Sequence, residues 1–455
     1  MKSSEMDMTQ GPILSKLLTY SLPLIASSML QLLFNAVDMI VVGQFTGKEA
    51  LAAVGSTSSL IAMMTTLFIG ISLGVNVCTA HAFAQHDDRV VSNSVHTAML
   101  SAVIFGMFTL IIGVVFGRTF LELMGNPDDV IDLATLYIKI YFLGMPFFML
   151  YNFGAAILKA IGDTKKPLIY LTVAGVLNAG LNIFLVLVFN MGVAGVAIAT
   201  VFSQLVSAVL VIRTLLKADT SYKLIPKKLR IDGYAFKKMI KIGIPAGLQS
   251  MLVNASNVLI QSNINSFGST VMASYSTMNS LRNFCYVGVN SITQAAMSFV
   301  GQNYGVKNFK RIDKITKTCF TLALVIGGVL GALVCIFSRE LTSLYSSDQN
   351  VIETNAVIMP YAVLIYGFAG TMDVMPGCMR GINVSFLPMM IHIMGIVVFR
   401  FVWILGVFPY FGTLENLLIS YPVSWVITTA GQVVAYIYAF RKAKKPYINR
   451  ADAIL

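Results

Sequence analysis

Charge is scarce in this sequence. Only 11% of its 455 residues are Asp, Glu, Lys or Arg, less than half the roughly 25% of an ordinary soluble protein, while 56% are hydrophobic. That balance excludes a soluble enzyme, and no polar stretch between Ile13 and Phe440 is long enough to fold separately. Cysteine is also sparse. Cys78, Cys285, Cys319, Cys335 and Cys378 are an odd count without a C-x-x-C pair, which supports neither a disulfide framework nor a metal site. No G-x-x-x-x-G-K-[ST] phosphate loop occurs, and the longest polar connection, around Tyr222 to Phe236, is far too short for a nucleotide-binding domain. Primary ATP-driven pumping within this chain is therefore excluded. The single G-x-S-x-G run, Gly70-Ile71-Ser72-Leu73-Gly74, lies inside an apolar span and not at a strand-to-helix turn, and no His/Cys/Asp cluster at metal spacing is present, so catalysis has no support and no cofactor is expected.

What the chain does have is long apolar runs. A helix of about 20 apolar residues crosses the roughly 30 Å hydrocarbon core, because unpaired backbone groups cannot face lipid. Twelve segments qualify, centred near Leu30, Met64, Ile104, Phe142, Val176, Ala208, Asn254, Phe284, Gly327, Val363, Ile396 and Thr428. None shows strand alternation, which argues against a barrel. The expected class is an all-α integral membrane protein with twelve transmembrane helices. The apolar run from Ile13 continues through Val42 without a small-residue cleavage site, so the first span is expected to be retained.

The net charge of +12 could point to nucleic acid until the basic residues are placed. Of the Lys and Arg, 26 fall in the tails and even-numbered loops, and only Lys48, Arg118 and Arg339 on the opposite side, with Lys139, Arg282 and Arg400 inside spans. The positive-inside rule then puts both termini in the cytoplasm. The charge is explained by topology and anionic headgroups, so lipid and not nucleic acid is the expected partner. A bacterial cytoplasmic membrane and a monomeric chain are expected.

The halves resemble each other at a shift close to 221 residues. Leu158-Lys159-Ala160-Ile161 with Pro167-Leu168 lies over Met379-Arg380-Gly381-Ile382 with Pro388-Met389; Pro23 lies near Pro245, and Ser56-Thr57 near Ser276-Thr277. Two six-helix lobes are expected, residues 1–218 and 237–455, joined by a basic cytoplasmic linker over 219–236. Six is even, so both lobes enter from the same side and form a parallel pseudo-two-fold repeat. Such a pair implies alternating access, driven by an ion gradient acting on intramembrane ionisable groups, which are expensive enough to be functional by default.

The first such group is Asp38 in span one, on a stripe with Gln31, Phe34 and Asn35. It is read as a proton carrier or a ligand for a small hard cation, against the alternative of an Asp that caps a loop amide near the helix end. Asn178 and Asn182 lie one turn apart in span five above Gly175, and Thr200, Ser203, Gln204 and Ser207 line one face of span six. These polar stripes serve either a site or interhelical hydrogen bonding.

The run Val37-Asp38-Met39-Ile40-Val41-Val42-Gly43-Gln44-Phe45, then Ala50-Leu51-Ala52-Ala53-Val54-Gly55, resembles the opening of multidrug and toxic compound extrusion (MATE) transporters. So do Gly192-Val193-Ala194-Gly195-Val196-Ala197-Ile198-Ala199-Thr200 and Val300-Gly301-Gln302-Asn303-Tyr304-Gly305. Met372-Asp373-Val374 with Arg380-Gly381 is similar to a branch common among Firmicutes. The resemblance covers essentially the whole chain. It implies export of small organic, often cationic compounds in exchange for H⁺ or Na⁺ through a V-shaped cavity between lobes. It further implies an N-lobe cation site in which Asp38, Asn178 and Thr200 match the family's first-span Asp, fifth-span Asn and sixth-span Thr, with Tyr137 as the fourth-span Tyr. One departure matters: Asn182 stands where a second Asp is often found. A single carboxylate can still carry a proton but is weaker for Na⁺, so H⁺ is favoured, with Na⁺ at Asp38, Asn178, Asn182 and Thr200 as the alternative.

In the C-lobe, Asp373 shares a face with Tyr366 and corresponds by the repeat to Asn152. A span-seven Glu of the Na⁺-coupled branch, near Val253 or Asn254, is absent, although Ser250, Asn254, Asn257 and Gln261 keep a polar face. Asp373, Tyr366, Asn152, Asn254, Asn257 and Arg282 form the candidate substrate set. The alternative for Asp373 is an internal salt bridge to Arg282 or Arg400. His392 can titrate near neutrality or be a hydrogen-bonded packing residue. Met372, Met375, Met379, Met389, Met390 and Met394 are read as an adaptable cavity wall or as bundle packing. The runner-up function is a lipid-linked precursor flippase of the same broader fold, which would want a strongly cationic cavity for pyrophosphate.

Overall fold

The computed structural model describes residues 5–46 and 48–452. Among them every regular element is helical. The spans are α1 (Ile13–Phe45), α2 (Lys48–Ala84), α3 (Asp88–Leu123), α4 with α5 (Asp128–Leu143, Met145–Ala160), α6 (Lys165–Ile183) and α7 (Gly192–Leu216). The second set is α8 (Gly233–Asn265), α9 (Ser269–Gly305), α10 (Phe309–Ile336), α12 with α13 (Gln349–Val363, Tyr366–Gly381), a broken span over 386–411, and α17 (Leu414–Asp452), with the short α11 (Ser338–Ser343) after α10. The broken span alternates α14 (Phe386–His392), a π-helical Ile393–Val398, α15 (Phe399–Val402), a π-helical Trp403–Val407 and α16 (Phe408–Phe411). All twelve expected centres fall inside these helices.

Nine of these spans are long and apolar enough to cross a bilayer on their own, and the α4 and α5 pair, bent by 46°, makes a tenth. The remaining two, α8 and α9, are equally long but more polar. Their polarity has a local cause in α9, which buries Ser274, Thr277, Ser291, Ser298, Gln302 and Asn303 against other helices. Helix α3 shows the opposite partition. It exposes Ile104, Phe108, Ile111 and Val115 on one stripe and buries Gly106, Thr109, Gly113 and Gly117 on the other. Lipid is as apolar as a leucine side chain, so association rests on close backbone approach at small residues.

The chain forms two compact units. One comprises Leu22–Gly247 with the tail up to Asp7; the other comprises Met8–Ser21 with the chain from Leu248 onward. Helices α1 and α8 thus each change unit along their length, beside Pro23 and Pro245. Proline removes a backbone donor and clashes with the preceding turn, so each helix is weakest where it passes from one unit to the other.

The internal layout of one unit repeats in the other at the expected shift. His86 and Lys307 both take left-handed backbone conformations, as do Gly162 and Asn383. A Cβ on Gly106 would lie 2.4 Å from Pro146 Cα, and one on Gly327 would lie 2.9 Å from Gly367 Cα. The α3–α5 and α10–α13 contacts are therefore the same backbone approach made twice.

The segment read as a linker is not a free tether. Tyr222 and Leu224 are buried in the core of the first unit, the Ile225 amide donates to His96 Nε2 at 3.0 Å, and the Asp232 amide donates to Thr97 Oγ1 at 2.9 Å. These bonds fasten the connection to the start of α3.

Candidate functional site

In the first unit the site is built where α1 meets α6. Gly175 leaves room for an aromatic ring: a Cβ there would lie 1.8 Å from Phe34 Cε2. One turn further along α1 and two turns further along α6, Asp38 meets Asn182. The Asn182 amide donates to Asp38 Oδ1 and lies 3.4 Å from Asn178 Oδ1. Asn178 Nδ2 in turn donates to Thr200 Oγ1 at 3.4 Å, and that hydroxyl donates to the Val196 carbonyl at 3.0 Å. Asn178 and Asn182 are buried and Asp38 is half-buried. Asn182 Oδ1 is buried without a hydrogen-bond partner, so an oxygen with free acceptor capacity lies beside the carboxylate. Directly after Asn182 the helix widens into a π-helical turn, Phe184–Val188, a geometry that often marks functional sites.

Asp38, Asn178, Asn182 and Thr200 are thus one connected network. Tyr137 is buried near it, stacked on Tyr141 at 6.1 Å between ring centroids, and both rings lie close enough to Asp38 to feel its charge. Tyr141 was not singled out from the sequence, although it sits one helical turn after Tyr137. Asn35 does not join the network. It is exposed, because a stripe of i, i+3 and i+4 positions is wider than one helix contact. The hydroxyls of Ser203 and Ser207 are spent on carbonyls of their own helix.

In the second unit the polar side chains separate into two clusters. Asp373 Oδ1 lies 3.5 Å from His392 Nε2. Gln432 Nε2 donates to the Pro388 carbonyl at 2.8 Å and lies 3.2 Å from His392 Nδ1. In the tautomer that lets Nδ1 accept, Nε2 carries the hydrogen and faces the carboxylate. Arg380, two turns further along α13, acts on Asp373 through its charge and donates to Gln249 Oε1 at 2.8 Å. The salt bridge weighed for Asp373 is not made with Arg282 or Arg400: its contact is His392, and Arg380 acts on it only at longer range.

Those two arginines form the other cluster. The Arg400 guanidinium carbon lies 4.4 Å from the centroid of the Tyr421 ring and that of Arg282 lies 5.3 Å from it. Arg400 Nη1 donates to Asn257 Oδ1 at 2.9 Å and to Ser256 Oγ at 3.2 Å. The hydroxyls of Tyr275 and Tyr421 meet at 2.6 Å.

The remaining candidate substrate residues divide between the two units. Tyr366 is buried edge-on against Trp425, with centroids 5.6 Å apart. Asn254 is exposed. Asn152 belongs to the first unit, where its amide donates to the Phe148 carbonyl at 2.8 Å. Of the methionines read as a wall, Met372, Met375, Met379 and Met389 are buried packing residues, and only Met390 and Met394 are exposed. The five cysteines are free thiols.

A twelve-span helical protein made of two repeated units, with one carboxylate held in a polar network inside its first span, is a membrane transporter. The MatE family profile matches residues 23–184 and 245–404, and the chain belongs to that family. Its two matched stretches begin 222 residues apart, in register with the repeat. The chain is 28% identical over 384 residues to the probable multidrug resistance protein YoeA of Bacillus subtilis, covering 83% of each chain. It is 26% identical over 358 residues to the FAD transporter of Shewanella oneidensis, covering 75% of this chain and 76% of that one. A crystal structure of a MATE protein in the bent conformation superposes with a TM-score of 0.88 over 98% of both chains at 18% identity.

Proposed function

We propose that this protein is a secondary active exporter of small organic compounds, working by alternating access and coupled to an ion bound at Asp38. The observation that carries the reading is the network Asp38–Asn182–Asn178–Thr200, which holds a single carboxylate inside a span and leaves an amide oxygen beside it. An intramembrane carboxylate is costly and finds its use in moving charge. The lobes are the two compact units, exchanging chain within α1 and α8 and not at 218 and 237 as the sequence suggested; both termini are cytoplasmic, and the coupling ion is H⁺. Relatives named for multidrug resistance and for FAD transport place substrates of different charge within reach of this family, so the family alone does not fix the sign of the cargo.

The test is transport by the purified protein in vesicles under an imposed pH or Na⁺ gradient, with a panel of organic cations, organic anions and labelled lipids. Gradient-driven movement of at least one soluble organic compound is expected. Movement of lipid alone would assign the protein to the flippase reading instead.

Orientation has its own test. With 26 basic residues in the tails and even-numbered loops against three opposite, a tag placed after Leu455 should be inaccessible to a membrane-impermeant reagent in intact cells and become labelled after permeabilisation. Labelling in intact cells would overturn the assigned topology.

A further inference from the structure

Two guanidinium groups inside the spans of the second unit have no carboxylate to neutralise them. Among the described residues neither Arg282 nor Arg400 makes an ion pair; Arg400 feels the like charge of Arg282 and itself acts on His392. Burying like charges within a membrane span is costly unless something offsets it. The Tyr421 ring offsets part of the cost, because its face attracts both cations. Ser256 and Asn257 take up one terminal nitrogen of Arg400. What is left over is specific. Arg400 is 2% exposed, yet its Nε is buried without a hydrogen-bond partner. It lies near the middle of the broken span, in the single α-helical turn between two π-helical segments.

The cluster is open on one side. Arg400, Ser256, Tyr275 and Tyr421 are buried, whereas Arg282 and Asn257 are only half-buried. Guanidinium donors therefore converge from α9 and α15 on one place, where Ser256 and Asn257 of α8 accept from Arg400. None of the charges there is negative. The contrast with Asp373 is direct, since that carboxylate already has His392 and Arg380.

The geometry points to a binding site for the anionic group of a substrate at Arg282 and Arg400: a phosphate- or carboxylate-bearing organic solute whose oxygens accept from the guanidinium donors while Tyr421 backs both cations. A guanidinium presents a planar fork that matches a carboxylate or phosphate with paired hydrogen bonds. This rests on the exporter reading and deepens it by giving the cargo a sign, opposite to the often cationic cargo that the family resemblance implied. The same chemistry could be met by the headgroup of an anionic lipid, so the test separates the two sources.

The experiment compares flavin mononucleotide with riboflavin, which carry the same ring system and differ by one phosphate. Binding of each to the full-length protein is followed by flavin fluorescence anisotropy in phosphatidylcholine nanodiscs, without any gradient, so a protein that failed to export would still report binding. Flavin mononucleotide should bind about tenfold or more tighter than riboflavin, as expected for charge-assisted hydrogen bonds. R282Q and R400Q should each abolish the preference, and R282K should retain part of it. Should R400Q fail to fold, R282Q decides alone, because its side chain is half-buried and not needed for packing in the same way. A preference that disappears when phosphatidylglycerol is added, and depends on the arginines, assigns the site to a headgroup with the same chemistry. Equal binding of the two flavins in phosphatidylcholine, or a preference that survives R282Q, overturns the proposal.

Discussion

Asp38→Asn is expected to reduce gradient-driven export to the level of protein-free vesicles while leaving the protein folded. Asparagine has the size of aspartate, and its carbonyl can still accept from the Asn182 amide, so the α1–α6 contact at Phe34 and Gly175 survives. What it loses is the ability to take up and release a proton, or to offer a full negative charge to a cation. No other carboxylate stands in for it in the network, where Asn178, Asn182 and Thr200 supply only neutral groups. The measurement is export of a fluorescent substrate beside a thermal unfolding curve of the same preparation. Export at the wild-type rate with a normal curve would end the coupling role of Asp38. A collapsed unfolding curve would show instead that the carboxylate holds the helices together.

An inward pH gradient is expected to drive substrate efflux in Na⁺-free vesicles, and a protonophore to stop it. The argument is one of ligands. Sodium needs several oxygens and is helped by more than one negative charge to repay its dehydration, whereas a proton needs one carboxylate. The network presents amide hydrogens toward the carboxylate: Asn182 donates to Asp38, and Asn178 donates to Thr200. A sodium ion there would require the Asn182 oxygen, and with it the rotation of an amide that now bonds Asp38. Efflux that requires added Na⁺ and continues with the protonophore would reverse the assignment.

Much of this was readable from sequence because the relevant signals are periodic. Helical spacing put Asn178 and Asn182 on one face of α6 and Asp38 on an inward stripe of α1, and the structure joins them. Asn35 belonged to the same stripe by spacing but not by contact, since only one edge of the stripe meets α6. The partners of Asp373 were harder to read. Arg380 lies on the same helix, seven residues along, but the choice of His392 over Arg282 depends on how three spans are rotated about their own axes, and a sequence with one apolar side after another does not encode that rotation visibly. The arginine cluster was hidden for the same reason. Arg282 and Arg400 were each visible as an intramembrane charge, but their meeting at Tyr421 takes three separate spans, α9, α15 and α17. The breaks in the helices also left little trace, because no proline stands at Phe184–Val188 or at Trp403–Val407.

Those last two segments are paired by the repeat. A π-helical turn accommodates an extra residue inserted into an α-helix, at a cost in backbone hydrogen bonding. The turn at Phe184–Val188 and the turn at Trp403–Val407 occupy corresponding places in the two halves, within two residues of the repeat distance. The two halves therefore share a local departure from α-helical geometry as well as a backbone approach, so the widened turn belongs to the repeated unit and not to one half's own function. The other π-helical segment, Ile393–Val398, has no counterpart in the corresponding helix Lys165–Ile183. It is peculiar to the half that also holds a carboxylate and two arginines within its spans.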